Sequence, residues 1–204
     1  MTANTIPTET KRQRGRKVAA ILAGGLVLGV GTMATLASWN DSEFASATFT
    51  TGKFNLQGST NGTTFTDNAA APGAALAFNA PFDNLTPNDV VYAPFAIQLV
   101  KGTTNNADVT ITATKSGDVS NLTYQLVKTT SMTCNDAAVA AGTPLVASSA
   151  VGAATGAVTF EVNKGTTAND AGATAFLCFK VTAGSGLTQG QTGIGTWQFQ
   201  ATSK

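Results

Sequence analysis

The feature that most constrains the fold of this chain is an alternation of apolar and polar side chains every second residue. In "ADVTITATK" (107–115), Val109, Ile111 and Ala113 share one face, and threonines occupy the other. This period is the signature of a β-strand with one buried face. We assign strands on the same grounds to "TFTTGKFNL", "ALAF", "VVYAPFAIQLV", "NLTYQLV", "GAVTFEV", "TAFLCFKVTA" and "GTWQFQATS".

Segments rich in Gly, Asn, Asp and Ser separate these runs, and such segments form turns. Beyond residue 37 the only helical stretch that the pattern indicates is "DAAVAA" (136–141). Many short strands joined by polar turns predict an all-β fold in which two sheets pack as a β-sandwich. Pro94 has no N–H to donate, so we expect it to mark an edge or a bulge and to split its run into two shorter strands.

The first 37 residues are of a different kind. Lys11, Arg12, Arg14, Arg16 and Lys17 form a basic cluster, and 19 uncharged residues follow it. A basic cluster before an apolar run predicts an export signal whose basic end stays in the cytoplasm. At ~1.5 Å per residue the run spans about 28 Å, which is also long enough for an uncleaved anchor.

Small residues at Thr35 and Ala37 fit the −3/−1 pattern of signal cleavage and place the cut between Ala37 and Ser38. We therefore expect a signal peptide over 1–37, an N-terminal segment over 38–50 and a sandwich domain over 51–204. The predicted location is secreted, extracellular or at the cell surface, with membrane contact during export alone unless the signal is retained. From Ser38 onward the chain carries seven lysines and ten acids, so no basic patch remains for nucleic acid.

Cys134 and Cys178 are the only cysteines. Two thiols in an exported domain most simply form a disulfide. The chain-entropy model gives such a bridge a stabilisation of about 4 kcal/mol. A catalytic cysteine is not indicated, because it needs a base such as histidine and the chain has none.

We expect no enzyme, no catalytic residues and no cofactor. Without histidine, neither a His-Glu-x-x-His zinc site nor a Ser-His-Asp triad can form. Oxygen ligands cluster in "TPND" (86–89) and "NKGTTAND" (163–170), which leaves calcium open as an alternative although EF-hand spacing is absent. Isopeptide bonds also stay open, because asparagines accompany the strand-associated lysines Lys53, Lys101, Lys115 and Lys180.

A family resemblance appears where the apolar run ends. The matching positions are Ala37, Ser38, Trp39, Asn40, Asp41, Thr48, Phe49, Gly52, Phe54 and Leu56. This start resembles the TasA/camelysin family of secreted bacterial proteins, in particular the actinobacterial branch with an alternate-type signal domain. The stretch "NLTPNDVVYAPFAIQLVKGTTNNADVTITA" (84–113) is similar to the family's second landmark. Asn88 stands where that motif usually has Gly, and Asn also tolerates φ > 0.

The resemblance implies a jelly-roll-like β-sandwich, cleavage by a SipW-type signal peptidase and a structural role at the cell surface or in the biofilm matrix. In TasA-type fibres the N-terminal segment of one subunit adds as a strand to the next. Carried over, this makes a second copy of the chain the main partner and residues 38–49 the donor, with Trp39, Phe44, Ala47 and Phe49 as its contact residues. The segment could instead pair within its own domain or form only the start of the exported chain.

A different class of function also fits the composition. The chain could be a monomeric, secreted carbohydrate- or surface-binding module that shares only the export signal. Such a module would use exposed aromatic side chains near a groove, and Trp197 and Tyr92 are the candidates. Against this, Trp197 also suits the sandwich core, because Phe199 lies on the same face of its strand.

Overall fold

A computed structural model of the chain describes residues 10–33, 41–153 and 158–204. The chain divides into two compact units, Met1–Phe49 and Thr50–Lys204. In the first unit, helix α1 spans Thr10–Met33. No helix in the described ranges is both long and apolar enough to cross a membrane. The predicted cleavage site at Ala37 and Ser38 lies outside the described residues, as does Trp39.

The second unit is built from β-strands. Its described residues form eight strands and one short helix: β1 Leu56–Ser59, β2 Val90–Leu99, β3 Ala107–Gly117, β4 Leu122–Thr129, α2 Asp136–Ala141, β5 Thr143–Ala150, β6 Val158–Val162, β7 Ala175–Ala183 and β8 Gly193–Ser203.

These strands form two antiparallel sheets. The larger sheet has the order β1-β2-β7-β4-β5, and the smaller has the order β6-β3-β8. The two sheets pack face to face, so the predicted all-β sandwich is confirmed. The jelly-roll arrangement of its connections stays a prediction.

Alternating side chains of both sheets fill the space between them. In β3, Val109 and Ile111 are fully buried, and in β7 Leu177 and Phe179 are fully buried. Burial of each such side chain contributes about 1.5–3 kcal/mol, and the two sheets are held together mainly by this term. The period-two pattern that predicted these strands therefore also identifies their core faces.

The prediction for Pro94 is half right. The run does not split, because β2 is one continuous strand in which Pro94 pairs with Cys178 of β7. On its other side, β1 ends opposite Ala96, so Pro94 lies where β2 is the edge of its sheet. A residue without an N–H is tolerated at such a position, because no ladder is interrupted on the open side.

Two other strand predictions need correction, and one strand was missed. The run "TFTTGKFNL" joins a ladder only at its last residue, Leu56, where β1 begins. The run "ALAF" (75–78) belongs to no strand. β5 was not predicted, because only Val146 in it is buried and its pairing with β4 is interrupted by two register shifts.

The predicted helix α2 and the predicted disulfide are both present, and both lie on the larger sheet. Asn135 caps the helix by accepting a hydrogen bond from the backbone N–H of Ala138 at 2.9 Å. Cys134, just before it, is bonded to Cys178 in β7 with the two Cα atoms 5.2 Å apart. The loop that carries α2 is therefore fastened to the middle of the larger sheet.

Candidate functional site

A groove of about 880 Å³ opens between the sheets, on the side where β1 and β2 lie opposite β8. Aromatic rings form its floor. The ring centroids of Phe95 and Phe199 are 5.6 Å apart, and those of Phe179 and Trp197 are 4.8 Å apart. Gly58 in β1 allows the Phe95 ring to lie against the backbone, since a Cβ there would stand 2.6 Å from the ring. The groove thus exposes part of the sandwich core.

The rim of this groove is apolar as well. Phe54, Phe82 and Ile194 are the exposed large hydrophobic residues that the described part of Thr50–Lys204 carries, and all three line the groove. Single exposed apolar side chains are common, but three that line one groove together with core rings are typical of an interaction site. We therefore take the groove as the candidate functional site.

One wall of the groove is an open strand edge. β8 pairs with β3 along its whole length, and no strand in the described ranges pairs with its other edge. Every second residue along that edge directs its backbone N–H and C=O away from the sheet, which makes it a template for a further strand. The buried indole N–H of Trp197 also has no acceptor within the described ranges.

An irregular segment, residues 67–79, runs along the groove, and we refer to it as the strap. Ala74, Leu76 and Phe78 are half-buried and pack against the core, whereas Ala75 and Ala77 are exposed. This alternation explains why the pattern predicted a strand. The strap also shows the limit of such a pattern, because alternation reports which side chains are buried and not whether the backbone is paired.

The strap is fastened mainly at its two ends. At its start, the Asp67 carboxylate accepts hydrogen bonds from the side chains of Asn55 at 2.8 Å and Gln57 at 3.3 Å. At its end, the backbone N–H of Asn79 donates to the carbonyl of Tyr92 at 3.0 Å. Between these anchors, within the described chain, the only backbone hydrogen bond is the internal one from Gly73 to Ala70.

The predicted donor segment has exposed aromatic side chains. Residues 41–49 form neither helix nor strand, and Phe44 and Phe49 are 94% and 92% exposed. Ala47 is exposed as well. In an extended strand, successive side chains alternate between faces, so Phe49 shares a face with Ala45 and Ala47 whereas Phe44 lies on the opposite face.

The two aromatic candidates for a carbohydrate site are not on one surface. Trp197 points between the sheets, where its ring centroid is 5.4 Å from that of Tyr124. Tyr92 lies on the outer face of the larger sheet, next to Lys180 and Asp136. Burial, followed by the neighbouring Asp136 carboxylate, raises the pKa of Tyr92 to about 12.

The two turns considered for calcium use their carboxylates for local geometry. Asp89 accepts hydrogen bonds from the backbone N–H and the hydroxyl of Thr86 at 2.7 and 2.9 Å. Asp170 accepts from the hydroxyls of Thr166 and Thr167, and these bonds lower its pKa. No group of three or more potential metal ligands occurs in the ranges that the structure describes.

A lysine surrounded by acids lies at one end of the smaller sheet. The Lys204 Nζ atom is 2.9 Å from Asp108 and 2.8 Å from Glu161. The hydrogen bond from Lys204 lowers the pKa of Glu161. The contact with Glu161, followed by the contact with Asp108, raises the pKa of Lys204. Isopeptide formation needs a neutral amine and a protonated acid, so this exposed cluster favours the ion pair. Of the four lysines named from the sequence, Lys180 forms an ion pair with Asp136 at 2.8 Å.

Comparison of the chain with family models, with characterised proteins and with solved structures gives no match. The resemblance to the TasA/camelysin family therefore stays a prediction from the residues quoted above.

Proposed function

We propose that the chain is an exported structural protein of the TasA type that polymerises by strand addition at the cell surface or in the surrounding matrix. A SipW-type peptidase removes residues 1–37 between Ala37 and Ser38. The N-terminal segment of one copy then pairs with the open edge of β8 in the next copy. This assignment needs no catalytic residue, metal or cofactor.

The observation that carries the proposal is the outer edge of β8, with which no strand in the described part of the chain pairs. The orders β2-β7-β4-β5 and β6-β3-β8 match seven of the eight strands of a jelly roll. In that fold the first strand pairs with the last. Here β1 instead pairs with β2, as Leu56↔Leu99 to Ser59↔Ala96. We read the sandwich on this basis as a jelly roll whose first strand is absent from the described residues, with an apolar groove where that strand would lie.

The donor segment has the chemistry to fill this place. One face of it carries Ala45, Ala47 and Phe49, which can enter the groove. Asp41 and Glu43 belong to the same face, so we expect the buried part of the donor to begin after Glu43. In an extended strand, Trp39 would lie on the same face as Phe49. Burial of a phenylalanine that is now 92% exposed contributes about 2 kcal/mol, and each new backbone hydrogen bond adds about 1 kcal/mol. Phe44, which the sequence analysis also named as a contact residue, lies on the opposite face, so we now expect it to stay outside the groove.

This difference between two exposed phenylalanines gives a matched experiment. We would express the wild type, Phe49→Ser and Phe44→Ser chains, recover each exported protein, determine its N-terminus and examine it by electron microscopy. Filaments from the wild type and Phe44→Ser, and monomers from Phe49→Ser, are expected. Since both side chains are exposed, neither change should affect folding, and circular dichroism checks this.

Three results would contradict the proposal. An exported wild-type protein that starts near Ser38 and stays monomeric at high concentration would favour the binding-module alternative. Filaments that form equally well with Phe49→Ser would mean that the chain polymerises by a different surface. An uncut N-terminus in the membrane fraction would identify the apolar run as an anchor and remove the free donor.

A further inference from the structure

The strap that lies along the groove repeats the inward pattern of the donor segment. Its half-buried side chains are Ala74, Leu76 and Phe78, each two residues apart. The inward face of the donor reads Ala45, Ala47 and Phe49 at the same spacing. Both segments therefore present a small residue first and a phenylalanine last, in the same chain direction.

The strap holds its place weakly. Between Asp67 and Asn79 it makes no backbone hydrogen bond to another described segment, so its N–H and C=O groups leave the β8 edge unpaired. Its contact with the core consists of the side chains of Ala74, Leu76 and Phe78, and all three are only half-buried. Segments with few buried contacts and solvent-facing backbone open at low free energy.

We propose that the strap is a built-in mimic of the donor strand that covers part of the groove in the monomer and is displaced during assembly. The inference rests on the proposed function, and it adds a regulatory step to it. An incoming donor matches the side-chain contacts of the strap and adds the ladder with β8 that the strap does not make. The strap stays attached at both ends, so its displacement needs no rearrangement of β1 or β2.

The consequence is measurable as an affinity. Because the donor binds only when the strap is out of the groove, the apparent dissociation constant equals the intrinsic one divided by the fraction of open molecules. A change that weakens the strap raises this fraction and tightens donor binding. A change that merely damages the groove weakens binding instead.

The test uses the full-length exported chain with Phe49→Ser, which has a defective donor and an intact groove. A labelled peptide of residues 38–51 is titrated into this chain, and binding is followed by fluorescence anisotropy. Adding Leu76→Ser should lower the apparent dissociation constant about tenfold. Ala75→Ser, whose side chain faces solvent, is the matched control and should leave it unchanged. Asp67→Ala loosens one anchor at an exposed site and should tighten binding about threefold even if Leu76→Ser folds poorly.

The outcomes separate the two proposals. Tighter binding by Leu76→Ser and Asp67→Ala supports the displaced strap. Binding that is unchanged or weaker in both would overturn it and make the strap a fixed wall of the groove, while strand addition stands. Absence of peptide binding by all of the variants would mean that strand addition itself fails, and the strap inference with it.

Discussion

The two long sides of this sandwich end differently. Where β5 lies near β6, Leu145, Val158 and Phe160 pack against the core, and Lys128 stands 5.9 Å from the Phe160 ring. Where β1 and β2 lie opposite β8, the core rings are covered by the strap, and phenylalanines at the rim stay exposed. One side is closed by strands from both sheets, and the other by a segment without a ladder.

The open side does not result from a shortage of apolar residues. Apolar residues of both sheets close the first side, whereas comparable apolar residues lie exposed on the rim of the second. An exposed edge next to an apolar groove invites aggregation unless it is protected or used. Pairing in a controlled register with a defined segment is the use that we propose.

The largest effect on stability is expected from removing the disulfide. Replacing Cys134 and Cys178 together by alanine removes a bridge across 44 residues and should lower the free energy of unfolding by about 4 kcal/mol. The bridge lies on the outer face of the larger sheet, away from the groove. Urea unfolding followed by fluorescence measures the loss. A decrease below about 1 kcal/mol would show that the α2 loop holds without the bridge.

Two phenylalanines compare the sides directly. Phe160→Ala on the closed side should lower the free energy of unfolding by about 2 kcal/mol, because it leaves a cavity between the sheets. Phe82→Ala on the open side should change it by less than about 1 kcal/mol, yet slow assembly at least tenfold. Urea unfolding and light scattering measure the two effects. If Phe82→Ala destabilises as much as Phe160→Ala and assembles normally, the two sides do not differ as described.

The smallest effect concerns acid and the start of β8. Hydrogen bonds from Gln191 and then Ser120 lower the pKa of Asp118 from 3.8 to about 2. Since the pKa is lower in the folded state, this carboxylate contributes stability above about pH 4, and the contribution is lost as the pH falls towards 2. Asp118→Asn should therefore flatten the pH dependence of unfolding between pH 4 and 2. Carboxyl NMR titration of Asp118 is the direct check, and an ordinary pKa near 3.8 would contradict it.

The sequence predicts the strands of the core well, for a physical reason. In β3 and β7 every second side chain is buried, so the pattern of residues such as Ile111 and Leu177 carries the same information as the structure. The disulfide was predictable because there are only two cysteines in the chain. The sandwich follows from the number and length of such strands.

The groove could not be predicted in the same way. Whether Leu76 belongs to a strand depends on what its backbone meets, and that is decided by residues far away in the sequence. That no described strand pairs with the outer edge of β8 is likewise a property of long-range pairing, which the pattern of side chains does not report. One sequence signal does point there: the alanine- and glycine-rich stretch around Pro72 suits a segment that packs without pairing.

The tethering of the strap has a consequence for when polymers form. An occupant attached to the same molecule competes at an effective concentration set by its tether, which for short flexible connections is in the millimolar range. An external strand must outweigh this advantage through its extra hydrogen bonds and buried area. Dilute molecules would then stay single, and crowding where many copies leave the cell would cross the threshold. Timing and place of polymerisation would follow from local abundance, without a separate trigger.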